Sequence, residues 1–391
     1  MGSKNNIEKI IAIFEIIVLV FSIFIPSSNA ESNNVLYVTN SFTRNDTVIT
    51  QDDLHRKEFF IKNMYTGHYL DVQNGTVASG TNVWQYTYNG TDSQRWFLYY
   101  DPNDDTYVIY SRLTDDGTYK FALDISGGST NNYANVQIYN YNGTASQKFK
   151  IERGSYGTFY IKTKVTNFEK AVVVNGPRVE VGNNIDQYTF QNHINEWWIL
   201  EPVDKTPKMG IAYAEKTYDK FVMAYPNCSG IGGDCTNFVS QCLQNAGYHY
   251  QNNWYVVRKG TQISEVQSIS ELNSNWSLAD PSPWISAPQF KDYWKSRVST
   301  YEQKGTDIRN NPSIAWNLNI EKGDVIQIAN AGLFRSVGEA WHTMYITGYT
   351  DTPSSTYTMT YHSNSEKNKS LITILNMNGY DKYYYIFYDM T

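Results

Sequence analysis

A cysteine at the start of a helix is the residue in this sequence best placed to do chemistry. In Gly232–Cys242 (GGDCTNFVSQC) two glycines permit a turn and Asp234 suits a helix N-cap. Phe238, Val239, Cys242, Leu243 and Ala246 then recur at helical spacing, and Gly247 is placed to close the run. Cys235 falls in the first turn, where free N–H groups and the positive end of the helix dipole lower a thiol pKa. The same spacing also fits Cys235 as a small core residue on the stripe of Phe238 and Cys242. A nucleophilic thiol needs a base, and only His249, His342 and His362 lie in this half of the chain. If residues 350–355 form a hairpin loop, the runs 342–349 and 356–362 pair so that His342 faces residue 363, give or take one. His362 and Asn364 share a face by the period of two. His342, His362 and Asn364 then converge at one end of a sheet, where the Cys235 helix could dock. A thiol, an imidazole and a third polar group that fixes the imidazole tautomer are the parts of nucleophilic amide cleavage.

The elements that must position these groups are readable in outline. Ile211, Ala214, Tyr218, Phe221, Val222 and Tyr225 form one face of a helix that Pro226 ends. Strands are expected at 324–329, 342–349, 356–362, 371–376 and 383–389. Residues 250–320 carry Trp254, Trp276, Trp284, Trp294 and Trp316, and fit either the wall of a substrate groove or an ordinary packed subdomain. Residues 204–210, with Pro207 and Gly210 and no periodicity, read as a linker.

Composition narrows the class. The 391 residues hold 32 basic and 38 acidic side chains without a long like-charge block, which argues against a nucleic-acid footprint. Residues 1–30 read as a secretory signal: Lys4 and Lys9, an apolar run from Ile10 to Ile25 interrupted by Glu15, then Ser28-Asn29-Ala30. The run is short for a span of about 20 residues, so the mature protein is expected to be secreted, with no integral membrane span after signal removal. Cys228, Cys235 and Cys242 are odd in number. On one helix Cys235 and Cys242 lie about 10.5 Å apart in rise, too far to bridge. Their spacing matches no common zinc pattern, and neither metal nor cofactor is expected.

The first half repeats itself. Asp71 is followed by Trp84, Tyr86, Gln94 and Trp96 at offsets of 13, 15, 23 and 25. Asp124 is followed by Gln137, Tyr139, Gln147 and Phe149, and Val173 by Asp186, Tyr188, Glu196 and Trp198, at the same offsets. Short β-rich runs alternate with Gly/Asn/Thr turns within each unit. With YLDVQNG, ALDISGG and the Q-x-W of Gln94-Arg95-Trp96, these units resemble the ricin B-type β-trefoil lectin repeat. That resemblance implies a sugar held by the early Asp, stacked on the aromatic, with a Gln and an Asn-Gln pair completing the polar contacts. It assigns Asp71, Tyr86 and Gln94, and Asp124, Gln137, Tyr139 and Gln147, to carbohydrate binding. Trp84 stands where the polar Gln belongs, and Ser93 and Ser146 stand where the Asn belongs. Val173 replaces the third Asp, which makes the third repeat structural. Trp96, Phe149 and Trp198 are expected in the core.

The stretch Gly233–Cys242 resembles the nucleophile helix of an amidase domain family of exported bacterial proteins, papain-like and similar to NlpC-type and CHAP cell-wall amidases. Trp254, Lys322-Gly323-Asp324-Val325, His342 and Tyr361-His362-Ser363-Asn364 follow in the matching order. The usual Asp-His pair reads Trp341-His342 here. The resemblance implies that Cys235 attacks an amide carbonyl, His342 serves as base and proton donor, and His362 orients His342, with Asn364 as the other candidate for that role. The Cys235 backbone N–H would meet the oxyanion.

The expected architecture is therefore multidomain: a signal peptide (1–30), an unassigned stretch (31–54), an all-β trefoil (55–203), a linker (204–210) and an α+β papain-like cysteine hydrolase domain (211–391). The expected function is a secreted carbohydrate-binding cysteine amidase or peptidase acting on an amide in cell-wall peptidoglycan or another glycan-linked substrate. Its partners would be a glycan ligand and an amide or peptide substrate. A secreted lectin with an inactive second domain, and a thiol acyltransferase or toxin effector, are the alternatives.

Overall fold

The computed structural model describes residues 48–390 except 115–116, 177, 262–264, 333–336 and 351–355. The signal expected over 1–30 and residues 31–47 lie outside the described residues. A single helical turn, α1 (Gln51–Leu54), opens the described chain, and Ile49 and Leu54 are buried in the core of the first half. The end of the unassigned stretch thus belongs to the β domain.

Twelve strands follow: β1 (Lys57–Asn63), β2 (Tyr69–Val72), β3 (Thr81–Tyr86), β4 (Arg95–Asp101), β5 (Thr106–Ser111), β6 (Phe121–Ile125), β7 (Ala134–Asn140), β8 (Phe149–Arg153), β9 (Phe159–Thr163), β10 (Lys170–Val174), β11 (Ile185–Thr189) and β12 (Trp198–Pro202). The ring β1–β4–β5–β8–β9–β12 closes on itself through antiparallel pairs, which removes the sheet edges. The hairpins β2–β3, β6–β7 and β10–β11 meet one another through β7. The sequence offset of 13 is a cross-strand pair in every repeat: Asp71 opposite Trp84, Asp124 opposite Gln137 and Val173 opposite Asp186. Trp96, Phe149 and Trp198 are fully buried. Trp96 and Trp198 donate their indole N–H to the Leu70 and Val172 carbonyls at 3.0 Å each, so they build the core as expected.

The second half begins inside the predicted linker, because Pro207 takes the first turn of α2 (Pro207–Thr217), where a missing N–H costs nothing. The helix stops at Thr217, short of the expected end at Tyr225, and Phe221 is exposed. α3 (Asp234–Asn245) is buried along its whole length. It packs on a six-stranded antiparallel sheet ordered β15-β20-β16-β17-β18-β19. These are β15 (Ser299–Lys304), β16 (Val325–Ala331), β17 (Val337–Tyr349), β18 (Tyr357–Tyr361), β19 (Glu366–Ser370) and β20 (Tyr384–Asp389). Residues 371–376 do not form the expected strand. The Ser370 hydroxyl caps the Thr373 N–H, and Leu371, Ile374 and Leu375 bury one face of a short helix instead. Between α3 and β15 the tryptophan-rich stretch forms the two-stranded ribbon β13 (Val256–Arg258) and β14 (Trp276–Leu278), and Trp254, Trp284 and Trp294 are buried in the same core as α3, while Trp316, beyond β15, is exposed.

The two halves share a buried polar cluster. Lys62 on β1 is buried 3.4 Å from the Glu201 carboxylate on β12, and its ammonium lies 3.9 Å from the Tyr225 ring centre. Glu201 accepts hydroxyl hydrogen bonds from Tyr69 (2.8 Å) and Tyr225 (3.1 Å), and Gln244 of α3 donates to the Tyr69 oxygen at 3.0 Å. Burial pushes the Lys62 amine down to about 8 against the pull of Glu201. Glu201→Leu strands that ammonium and is expected to cost about 3–5 kcal/mol, with Lys62→Met in the same chain recovering most of the loss. Denaturant midpoints followed by tryptophan fluorescence provide the measurement.

Candidate active site

The start of α3 is shaped by two glycines. Gly232 holds φ +79°, and a Cβ at Gly233 would lie 2.9 Å from the Ile285 carbonyl oxygen. Asp234 is the first helical residue, with Gly233 at the N-cap, so the expected capping role is not filled. Its carboxylate accepts instead from Asn237 Nδ2 (3.1 Å), the Cys228 N–H (3.4 Å) and His362 Nδ1 (2.7 Å).

His362 is committed to this contact. Its Nε2 lies 3.1 Å from the Thr217 carbonyl, freed by the end of α2, and its ring stacks on Phe238 with centres 4.1 Å apart. Both partners are acceptors, so both contacts are hydrogen bonds only when each ring nitrogen carries a hydrogen. The expectation that His362 orients His342 is therefore corrected, because neither ring nitrogen remains to do so. The pair of Asp234 and His362 joins α2, α3 and the end of β18.

Cys235, His342 and Asn364 line one cavity of about 240 Å³, together with Trp341, Tyr361 and Tyr380. The ladder of β17 and β18 pairs Tyr349 with Tyr357, one residue past the Thr356 of the expected hairpin, and a bulge between Ile346 and Gly348 then sets Tyr345 opposite Thr360. The turn after β18 runs through Ser363 at φ +91° and Ser365 at φ +52°, and carries the exposed Asn364 between them. Gly232 and Ser363 also border a second cavity of about 260 Å³, lined by Asp219, Lys220, Phe221, Asp234 and His362. The two pockets flank one wall.

Burial sets the electrostatics of the first cavity. Cys235 is 5 % exposed, and its thiol is pushed up by burial against the Thr343 backbone N–H and the hydroxyl and backbone N–H of Thr236. Desolvation thus outweighs these hydrogen bonds, and the thiol stands above its ordinary value rather than below it. His342 is 9 % exposed, and burial alone brings its imidazole down to about 4. Among the described residues no hydrogen bond reaches its ring, which meets Tyr361 edge-on at 4.9 Å and Trp341 at 5.8 Å. Beneath the sulfur the Thr236 hydroxyl pairs with that of Thr343 (2.8 Å), which accepts from Gln327 (2.9 Å), itself bonded to the Tyr388 hydroxyl (2.6 Å). This buried chain escaped sequence reasoning because Thr343 and Gln327 read only as strand residues. All three cysteines are free, and among the described residues no cluster of His, Cys, Asp and Glu is placed to hold a metal.

In the first half Asp71 and Asp124 are buried, each carboxyl raised by that burial. Asp71 accepts from Trp84 Nε1 (2.8 Å) and Asp124 from Gln137 Nε2 (2.9 Å). Tyr86 and Tyr139 are exposed on the same hairpins, and Tyr86 stacks on Trp84. Gln94 and Gln147 differ from expectation. Both are fully buried and latch their own turns: Gln94 to the Asn89 N–H and Thr87 carbonyl, Gln147 to the Asn142 N–H and Asn140 carbonyl. They support the carboxylates from behind and face no open cavity.

Comparison with known proteins follows this division. Residues 204–387 match the family model described as "Putative amidase domain", and residues 47–118 and 116–188 match "Ricin-type beta-trefoil lectin domain-like". The chain carries a ricin B-type lectin domain followed by a domain of that amidase family, an α/β unit. At a coarse level this is a glycan-binding module joined to an amidase. No curated protein matches the chain. Among solved structures it is similar to the designed threefold-symmetric protein ThreeFoil (31% identity, 37% of this chain and 96% of that one, TM-score 0.34). It is also similar to the Rhizoctonia solani agglutinin (18% identity, 39% and 97%, TM-score 0.33) and to an exo-β-1,3-galactanase from Clostridium thermocellum (26% identity, 37% and 30%, TM-score 0.33). Among the described residues no helix is long and apolar enough to cross a membrane.

Two outcomes are expected of this geometry. A lowered imidazole stays neutral as pH falls until about 4, so the acid limb of kcat/KM should be centred near pH 4, while alkylation of Cys235 by iodoacetamide should keep rising above pH 9.0. A thiolate–imidazolium pair would instead give alkylation that levels off in the acid range. A double-mutant cycle of Asp234→Ala and His362→Ala should give a coupling of about 1–3 kcal/mol in unfolding free energy, far above that of an exposed pair.

Proposed function

We propose that this protein is an exported, papain-like cysteine amidase that holds a glycan on its first half and cleaves an amide with its second. The observation that carries the reading is the shared cavity of Cys235, His342 and Asn364, with the first turn of α3 at its edge. The resting pair is a neutral thiol and a neutral imidazole, so His342 acts as a general base. It takes the Cys235 proton as the sulfur attacks the amide carbonyl, and the C–S bond forms while the carbonyl π pair moves to oxygen. The Cys235 backbone N–H, which has no intrahelical partner at that position, faces the developing oxyanion. The imidazolium then returns its proton to the departing nitrogen as the C–N bond breaks, leaving a thioester. Water, deprotonated by the same ring, releases the acid and restores the thiol. Asn364 takes the third role and fixes the His342 ring once substrate closes the cavity.

Trp341 replaces the acid usual at its position and is 38 % exposed beside His342, with Met377 exposed and Tyr380 nearby. This wall is apolar and aromatic, suited to the face of a sugar ring or an apolar side chain next to the scissile amide. In the first half Asp71 with Tyr86, and Asp124 with Tyr139 and Gln137, supply an acceptor for paired hydroxyls and an aromatic plane. Cell-wall peptidoglycan unites both chemistries in one polymer, and export by the segment 1–30 would bring the enzyme to it.

Incubation of peptidoglycan fragments with wild type should release new carboxyl and amino ends, and Cys235→Ala should lower turnover by at least about 10³-fold. Equal turnover by the two proteins would remove the cysteine mechanism. Asp124→Ala should weaken glycan binding on an array while hydrolysis of a small amide continues.

A further inference from the structure

The third repeat reads as structural because Val173 replaces its acid, yet that repeat holds a cavity of about 550 Å³, larger than either pocket beside α3. Its walls include Val173, Asp186, Glu196 and three tyrosines, Tyr65, Tyr133 and Tyr188. The acid has moved across the ladder, since Asp186 sits directly opposite Val173. Position by position, the neutral Gln137 of the second repeat becomes Asp186, and the neutral Gln147 becomes Glu196. Both carboxylates are buried. Asn184 Nδ2 donates to one Asp186 oxygen at 2.5 Å and Asn175 Nδ2 to the other, while Glu196 latches its turn through the Gln191 and His193 N–H groups. A carboxylate offers about four acceptor sites, so these donors leave capacity unused on Asp186.

We propose that this cavity binds an amino sugar through its free, protonated amine. An amide can donate and accept, whereas a carboxylate only accepts, so the unused acceptor capacity of Asp186 suits a ligand that brings donors. Burial raises the Asp186 carboxyl, and the cavity walls, among the described residues, hold His193 but no Lys or Arg, so a cationic donor would offset that burial. Tyr133 is 66 % exposed and meets Tyr188 with ring centres 5.0 Å apart, giving an aromatic surface for a sugar face and for an adjacent ammonium. The first two repeats, with one acid each, suit neutral sugars. The inference rests on the reading of the first half as glycan-binding and concerns a separate repeat.

Calorimetric titration of the full chain with glucosamine oligosaccharides and with N-acetylglucosamine oligosaccharides of matched length, at pH 6, tests it. The free-amine series should bind about tenfold more tightly, the equivalent of one charge-assisted contact. Asp186→Asn should abolish that preference, and Tyr133→Ala, which removes an exposed side chain, should weaken the free-amine series without affecting the fold. Equal binding of the two series by wild type would overturn the proposal. So would a preference that survives both substitutions, because it would then belong to the net charge of -6. Loss of neutral-sugar binding in Asp124→Ala, with no amine preference in wild type, would leave the lectin reading standing and remove this site alone.

Discussion

The contact between Asp234 and His362 is the constraint on which the candidate site depends. One carboxylate at the start of α3 meets an imidazole that arrives 128 residues later, and the other side of that ring holds the last carbonyl of α2. Three elements from distant parts of the chain are thereby fixed against one another. Cys235 follows Asp234 directly, and the turn bearing Asn364 leaves directly from His362. Both therefore inherit their placement from this pair. Buried charge pairs often add little net stability, because desolvation offsets attraction. Their value here lies in geometry: any slip of helix against sheet would leave both groups without partners.

Burial also decides the chemistry available. A helix start favours a thiolate by an amount that holds at an exposed surface. Around Cys235 the surroundings are closed, and desolvation of the charged form outweighs the hydrogen bonds from Thr343 and Thr236 that favour it. The same desolvation lowers His342. The two shifts act in the same sense, each favouring the uncharged form. Water-excluding walls strengthen every dipole aimed at charge that develops there.

Much of this was legible in the residues. Offsets of 13, 15, 23 and 25 showed the repeat, the resemblance of YLDVQNG, ALDISGG and Gln94-Arg95-Trp96 supplied the trefoil, and the structure returns the first offset as strand partners. The pairing of β17 and β18 followed from the assumed loop between them, but the bulge between Ile346 and Gly348 that sets their register did not. Other features depended on tertiary context. Residues 371–376 carry β-branched side chains, but Ser370 caps them into a helix. Asp234 looked like a cap because its own helix was in view and the imidazole on a distant strand was not. Gln94 and Gln147 looked like ligand contacts until their turns claimed both ends of each amide. The strand-to-strand shift of an acid between Val173 and Asp186 was visible in the offsets, but reading each column separately concealed it.

The Lys62 cluster has a further consequence. Gln244 of α3 and Glu201 of the barrel meet on one tyrosine, Tyr69, so the helix that carries Cys235 is joined directly to the barrel. That contact ties the two halves through buried side chains. On the proposed reading, a glycan held by the barrel would present to the second half only those bonds that lie at a set reach along its own length.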